Sequence, residues 1–592
     1  MSRSGTFWTL IVVAAGVLVI TGFWSLGVRE AGSPIGFPLD DAWIHVRFAQ
    51  NLAGGHGFAF NPGEPTAGST SPLWVVLLAG VSLISGEFIV TAIFLSVLSY
   101  LLLAACTYWA ARRMLNETGP AILAALIVLV NVRVAWAALS GMEICLAAAL
   151  AVAAVASFAV EESNRATALA NSDEDGAKNS DGDRHPNRAR SIPIALHAWA
   201  WATPILFGLA SLARPEAHLL FVLAVFLRIV RSCSRDTPVQ VLVRLIPYRM
   251  IAVYVLVTGS WHLFALWSSG SPLPNTFWAN FRGLATRAYP PGYYASYARW
   301  LFVLDHPWVY WFVPLGVLAV VWSSFRQGGQ ERKGMGLTPY GLALGQLSVL
   351  WVIFYPLVSR MVLPMMRHHA RYMIPMTPFH AILIALGLWA AVQTAVSLHR
   401  RWTSARGPRP PGSATSRRVP RAVWLGAAVS LATIVSAAPG LVRWATTYGR
   451  NVHSINHQHV AVVRWVLDHT PADALIAAHD VGALGAISQR PVLDLFGLVT
   501  PGMIRPVRTV IIPTLGTSPQ WYLEQLRERG AAYVVGYPNW LGFVAAAPEC
   551  FEELHREVLG PVSQDEVAIY GGREMVVYRI RRDQLGEFLS AR

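Results

Sequence analysis

The sequence predicts a polytopic α-helical membrane protein that carries a C-terminal α/β domain on the outer side of the membrane. Three observations carry this expectation. Of the 592 residues, 54% are hydrophobic and only 14% are charged. Nearly charge-free runs of roughly 20 residues, long enough to cross a hydrocarbon core of about 30 Å, recur up to residue 440. Beyond that point the apolar runs shorten to strand length and alternate with helical patterns.

The long runs lie at 7–27, 87–111, 119–139, 144–160, 194–213, 216–230, 250–268, 307–323, 339–358, 373–396 and 422–440, which predicts about eleven spans. The first run is longer than a signal-peptide core and no small-residue cleavage site follows it before Arg29, so it reads as a retained anchor. With the N-terminus in the cytoplasm, the basic loops alternate consistently with one topology. Arg112 and Arg113, the cluster Arg228, Arg231 and Arg235, the segment Arg326 to Lys333 and the stretch 398–421 all fall inside. Contact with anionic membrane lipids accounts for the net charge of +14, and no nucleic-acid partner is needed. The same rule makes PLWVVLLAGVSLIS at 72–85 a short helix on the outer surface, because a full span there would turn Arg112 and Arg113 outward.

Two polar stretches, 161–193 and 397–421, predict disordered cytoplasmic loops. The chain therefore divides into a membrane module, 1–440, with an outer loop at 28–86, and an outer domain, 441–592. In the domain, strands are expected at Leu475 to Ala478, Val492 to Leu495, Ala532 to Val535 and Met575 to Ile580, with helices at 456–469 and 519–529. The cysteines at 106, 145, 233 and 550 are scattered, which points to neither a disulfide framework nor a thiolate metal site. No Walker loop, dinucleotide fingerprint or HExxH is present, so an enzyme of this kind would draw on an activated membrane donor and not on ATP.

The candidate chemistry lies in the outward loops. Asp40 and Asp41 open a helix directly after the first span, where charge beside hydrocarbon is costly without partners or work. Adjacent helical positions point about 100° apart, so the two acids serve different ends; the plain alternative is a helix cap followed by a first-turn acid. Glu143 sits between two spans in SGMEICL, and Arg214 and Glu216 occupy the turn LARPE, either paired with each other or facing a ligand. After residue 268, SPLPNTFWANF precedes Tyr289, Tyr293, Tyr294, Tyr297 and Trp300, aromatics that suit a sugar ring or an interfacial belt. The loop RMVLPMMRHHARYMIP concentrates Arg360, Arg367, His368, His369 and Arg371 on the outer side. That charge opposes the orientation rule, and it fits an anionic partner such as a phosphate or a lipid headgroup.

These segments, LDDAWIHVRFAQNLAGGHGFAFNPGE with TSPLW, SGMEICL, LARPE, PLPNTFWAN and HHARYMIP, resemble in order the GT-C integral membrane glycosyltransferases. That group includes protein O-mannosyltransferases, lipid A aminoarabinose transferases and mycobacterial arabinofuranosyltransferases. The stretch from Val462 to Gly502 also resembles the tail of bacterial members, and the DDA and FNPGE pattern is most similar to the arabinofuranosyltransferase-like branch. The resemblance implies transfer of a hexosyl or pentosyl group from a polyprenyl-phosphate-linked sugar to an envelope glycan, lipid or protein acceptor. It implies Asp40 as general base and Asp41 as the residue that orients it or holds a divalent ion. Glu143 matches the second outer-loop acid, and Arg371 with His369 matches the grip on the lipid phosphate, with Arg214 the next candidate. His45, Arg47, His56 and Asn275 are the remaining loop side chains expected to touch substrate. Some relatives use magnesium or manganese and others no metal.

Chemically, an alcohol acceptor needs a base within hydrogen-bond reach, and the departing phosphate needs fixed positive charge. With no second carboxylate placed as a covalent nucleophile, inversion is expected. Two other classes compete: a transporter or flippase for lipid-linked saccharides, and a noncatalytic assembly protein whose outer domain binds glycan. A carrier would place charge in mid-span and often shows internal repeats, and neither is evident. The topology is directly testable. Single cysteines placed beside Asp40, Glu143 and Arg371 and beyond 441 are expected to label from outside intact cells, and inward labelling at Asp40 or Arg371 would dismantle the shared site.

Overall fold

The computed structural model describes residues 3–33, 36–178, 194–233, 245–280, 292–302, 308–326, 337–362, 367–404, 421–500, 502–503, 519–561 and 571–591. Among them, eight helices are long and apolar enough to cross a membrane, or nine if one bent pair is counted as a span. The membrane module runs through α1 (Arg3–Ala31), α2 (Asp41–Ala53), α3 (Pro72–Ser85), α4 (Phe88–Leu115), α5 (Thr118–Leu129), α6 (Val132–Ala138), α7 (Ile144–Lys178), α8 (Ile194–Ala213), α9 (Ala217–Ser232), α10 (Tyr248–Ser269), α11 (Val313–Arg326), α12 (Pro339–Val362), α13 (Thr377–Ser404) and α14 (Arg421–Ile455). Against the eleven or so spans expected, these eight or nine qualify; 194–213 and 216–230 fall on the shorter α8 and α9. At 14 residues, α3 reaches only about 21 Å and is too short to span.

Two expectations are corrected. The run 119–139 is not one helix: it breaks between α5 and α6 with a bend of 63°. The cause is Asn131, whose side-chain oxygen accepts the amides of Arg133 and Val134, both at 3.1 Å, and so starts a new helix. The second concerns 161–193, expected to be disordered from its first residue. Instead α7 continues to Lys178, because Glu161 and Glu162 find cationic partners. Arg228 donates to both acids at 2.9 Å, and Arg231 donates to Glu162 at 3.2 Å. Glu162 lies roughly 28 Å along α7 from Glu143, so this cluster marks the opposite end of the bundle. The rest of that stretch, and 405–420 of the second polar loop, lie outside the described residues.

Helix α14 runs without a break through position 440 into the C-terminal domain. There a π turn, Asn456–Val460, leads to α15 (Ala461–His469). The domain then adds β1 (Ile476–Ala478), α16 (Gly482–Ser488), β2 (Val492–Asp494), α17 (Pro519–Glu528), β3 (Tyr533–Gly536), β4 (Phe551–Val558), β5 (Glu574–Ile580) and α18 (Arg582–Ser590). The described strands form one sheet in the order β2-β1-β3-β5-β4. β1 pairs in parallel with β2 and β3, whereas β5 pairs antiparallel with β3 and β4. The expected strands are β1, β2, β3 and β5. β4, FEELHREV, went unread because it is an edge strand whose outward face is charged, which leaves no apolar run to find.

The loop after α2 is tied to this domain. Asn61 donates to the Val492 carbonyl at 2.9 Å and accepts the Val492 amide at 3.0 Å, so its side chain pairs with the edge of β2 as a strand would. On the bundle side, the turn before Glu143 is held by Trp74, whose indole donates to the Gly141 carbonyl at 3.2 Å. Gly141 has φ +72°, and a Cβ there would lie 2.3 Å from the Phe37 ring. Both facts require glycine. Gly141→Ala is expected to lower stability by about 1–3 kcal/mol, read as a reduced Tm of the detergent-solubilised protein; an unchanged Tm would show that the Phe37 ring moves aside freely.

Candidate active site

A cavity of about 520 Å³ opens where α2, the turns before α7 and α9, α10, α12 and the segment before α13 meet beneath the C-terminal domain. Its charged lining is Asp41, Glu143, Arg214, Glu216 and Arg371, with His45, His218 and His262 beside them. Ile44, Leu219, Leu273, Phe277 and Val358 supply an apolar wall, and Leu498 of the C-terminal domain closes one side. Of the two alternatives open for Glu216 in the LARPE turn, the structure has both: it pairs with Arg214 and lines the cavity, beside Tyr372, which the loop motifs did not single out.

The charges form a connected chain. Arg214 donates to Glu143 at 2.9 Å and to Glu216 at 2.8 Å, and His45 Nε2 lies 3.3 Å from the other Glu143 oxygen. With Nε2 protonated toward that carboxylate, His45 Nδ1 is the acceptor for Ser69 Oγ at 3.2 Å. Burial disfavours the ionised form of Glu143, but His45 and Arg214 outweigh it and hold the carboxyl at about 2. Glu143 is therefore a fixed anion at any physiological pH. Arg214, committed to two carboxylates, is electrostatically satisfied.

Arg371 is less so. It donates to Asp41, and to the Tyr372 hydroxyl at 3.0 Å, while its buried Nε has no hydrogen-bond partner. Its guanidinium also sits 5.0 Å over the Tyr372 ring, which Arg214 approaches at 5.4 Å. The Asp41 side chain is 37% exposed, whereas Arg371 is buried. The segment leading to Arg371 has three consecutive left-handed residues: His368 at φ 48°, His369 at 59° and Ala370 at 55°. Such a run costs about 1–2 kcal/mol per residue and persists only where contacts impose it.

The structure separates the two acids of the DD pair. Asp40 was expected to lead the chemistry, but it does not line the cavity and is only 8% exposed. Nor does its side chain cap its own helix. Its two oxygens accept the amides of Gly482 at 2.7 Å and Ala483 at 2.8 Å, at the start of α16 in the C-terminal domain. Burial raises its carboxyl to about 6, and nearby His459 pulls the other way. The reason is geometric: a rotation of about 100° between neighbouring helical residues sends Asp41 to the cavity and Asp40 to the domain.

Other expected contacts also fall outside the cavity. Arg47 is buried and donates to the Phe60 carbonyl at 2.9 Å and to Gln489, joining its loop to the domain. Asn275 donates to Thr66 Oγ1 at 3.1 Å and to the Leu498 carbonyl at 3.3 Å, and His56 is exposed. His369 stands behind Arg371, with its ring between Trp136 and Trp444 at 5.3 and 5.1 Å. Its Nε2 lies 3.0 Å from Asn451 Oδ1, and Arg133 donates to its carbonyl at 2.5 Å. Of the aromatics after 268, Trp300 is buried in the core, and Tyr289 and the side chains of Tyr293, Tyr294 and Tyr297 lie outside the described residues. Among the described residues, no three His, Cys, Asp or Glu side chains are placed to hold a metal ion. Asp41, the expected ligand for one, takes Arg371 as its partner, so this donor set does not fit a protein-held divalent ion.

A family described as "Domain of unknown function (DUF8728)" matches residues 450–578. No curated protein matches the chain in sequence. Among solved structures, the chain is similar to the apo oligosaccharyltransferase of Archaeoglobus fulgidus, with 13% identity, TM-score 0.56, and coverage of 90% of this chain and 70% of that one. It is also similar to apo ArnT from Cupriavidus metallidurans, with 15% identity, TM-score 0.54, and coverage of 98% and 99%. A third structure is the Archaeoglobus enzyme tethered with an acceptor peptide containing the NVT sequon, with 13% identity, TM-score 0.53, and coverage of 88% and 68%. From its first long apolar helix to its C-terminal sheet, the chain has the GT-C fold that it shares with these proteins.

Proposed function

We propose that this protein is a membrane glycosyltransferase that moves a sugar from a polyprenyl-phosphate donor to an envelope glycan, lipid or protein acceptor at the outer face. The observation that carries the reading is the convergence of a half-exposed carboxylate, Asp41, and an under-satisfied buried guanidinium, Arg371, in one cavity with an apolar wall. The names of the structural neighbours, an oligosaccharyltransferase and ArnT, agree with it.

In this reading Asp41, and not Asp40, is the general base. A donor phosphate competes for the Arg371 guanidinium and draws it from Asp41, which accepts the acceptor's hydroxyl proton. As the acceptor oxygen bonds to the anomeric carbon, the bond to the phosphate oxygen breaks. Arg371 stabilises the charge that the phosphate gains where water is scarce. Glu143, locked as an anion between His45 and Arg214, holds the floor of the site and takes no proton. Direct displacement inverts the anomeric carbon.

The assay is incubation of the purified protein with a panel of polyprenyl-phosphate sugars and a cell-envelope extract, with the product linkage read by mass spectrometry and NMR. Asp41→Asn is expected to cost about 100 to 10,000-fold in turnover while the protein stays folded. Normal transfer by this variant would remove the base assignment, and saccharide movement across vesicles without transfer would favour a transporter.

Arg371→Lys keeps the charge but loses the planar fork and the Nε donor. It is expected to lose roughly 100-fold in kcat/KM for the donor, through both affinity and turnover. An unaffected Arg371→Lys enzyme would move the phosphate grip to Arg214, although two carboxylates already occupy that side chain.

A further inference from the structure

We propose that the C-terminal domain is a two-point clamp on the catalytic pair, with Asp40 and Asn451 as positioning residues that set Asp41 and Arg371 from opposite sides of the cavity. This rests on the reading of Asp41 and Arg371 given above.

The first point of the clamp is the Asp40 carboxylate. Both of its oxygens are used by the amides that open α16, and the residue that follows it in the chain is Asp41. The approach is as close as backbone permits: a Cβ on Gly482 would lie 2.2 Å from the Asp40 carbonyl oxygen and 2.8 Å from its carboxylate. No side chain fits there. Further along the same loop, Gln489 takes Arg47 and Val492 takes Asn61, so the first turn of α2 and the loop after it are registered on the domain as one body.

The second point lies behind Arg371. Asn451 belongs to α14, the helix that continues into the domain, and its Oδ1 lies 3.0 Å from His369 Nε2. The same atom accepts the Trp136 indole at 3.1 Å, and Trp444 from α14 packs on the His369 ring. These contacts hold the left-handed run His368 to Ala370 that aims Arg371 into the cavity. Leu498 of the domain also touches the cavity itself.

One body therefore sets the position of the base and, separately, that of the phosphate grip. Reaction between bound groups is steeply sensitive to such placement, and an error of about 1 Å costs on the order of 100-fold. Neither Asp40 nor Asn451 lines the cavity, so the cost of altering them falls on geometry alone.

The test compares kcat and donor KM, each corrected for the folded fraction from thermal unfolding, in the full-length protein. Asp40→Asn and Gly482→Ala, which disturb one contact from its two sides, are both expected to lower kcat by roughly 10 to 100-fold with donor KM within about twofold. Asn451→Ala is expected to raise donor KM at least about fivefold with a smaller fall in kcat, and it decides the proposal should the first two variants not accumulate as folded protein. Leu585→Ala, in the core of α18 away from both points, destabilises the domain and is expected to leave both constants unchanged per folded molecule. A clamp is ruled out if Asp40→Asn, Gly482→Ala and Asn451→Ala match Leu585→Ala while Asp41→Asn is inactive; the catalytic reading then stands alone. Full activity of Asp41→Asn would instead overturn the catalytic reading itself.

Discussion

The constraint on which the site depends is the cost of holding several charges together at the end of an apolar bundle. Asp41, Glu143, Glu216, Arg214 and Arg371 come from four segments, and each would be expensive to bury alone. They are tolerated because each has an opposite charge in contact. Glu143 lies between His45 and Arg214, Glu216 completes Arg214, and Asp41 meets Arg371. The chain of pairs draws α2, the turn before α7, the turn before α9 and the segment before α13 to one point. It also leaves the buried Nε of Arg371 without a hydrogen-bond partner, beside the more exposed Asp41. Within the cluster, the part with capacity to spare is the part suited to take up an anion and a proton.

The C-terminal domain is tied into this arrangement through backbone as much as through side chains. A buried carboxylate that receives two amides is stabilised in its ionised form, yet burial still pushes Asp40 up to about 6. Asp40 is joined through a single peptide unit to Asp41, which lines the cavity. Behind Arg371, Asn451, Trp136, Trp444 and Arg133 combine to hold three residues in a conformation that L-amino acids avoid.

Much of the architecture was legible without coordinates. Spans follow from apolar length, and the C-terminal sheet from short β-rich runs separated by helical patterns. The failures have local causes that hydropathy does not register. Asn131 breaks a run that is apolar on both sides of it, Glu161 and Glu162 extend α7 because Arg228 and Arg231 wait on a different helix, and β4 hides behind its charged edge. In each case the deciding partner is a single polar group, distant in sequence or invisible to an average over a window.

The site divides along the same line. The sequence by itself determined that acids and bases gather in the loops at one end of the spans, that Asp41, Glu143, Arg214 and Arg371 are among them, and that neighbouring acids on a helix diverge by about 100°. It could not determine which of Asp40 and Asp41 faces the cavity, because that depends on where α16 docks, more than 400 residues later in the chain. Nor could it tell that Arg47 and Asn275 are internal fasteners, which of its two alternatives Glu216 takes, or that Tyr372 is a site wall. A side chain's role follows from what lies within about 4 Å of it, and those neighbours are brought there by packing between segments that the order of residues leaves far apart.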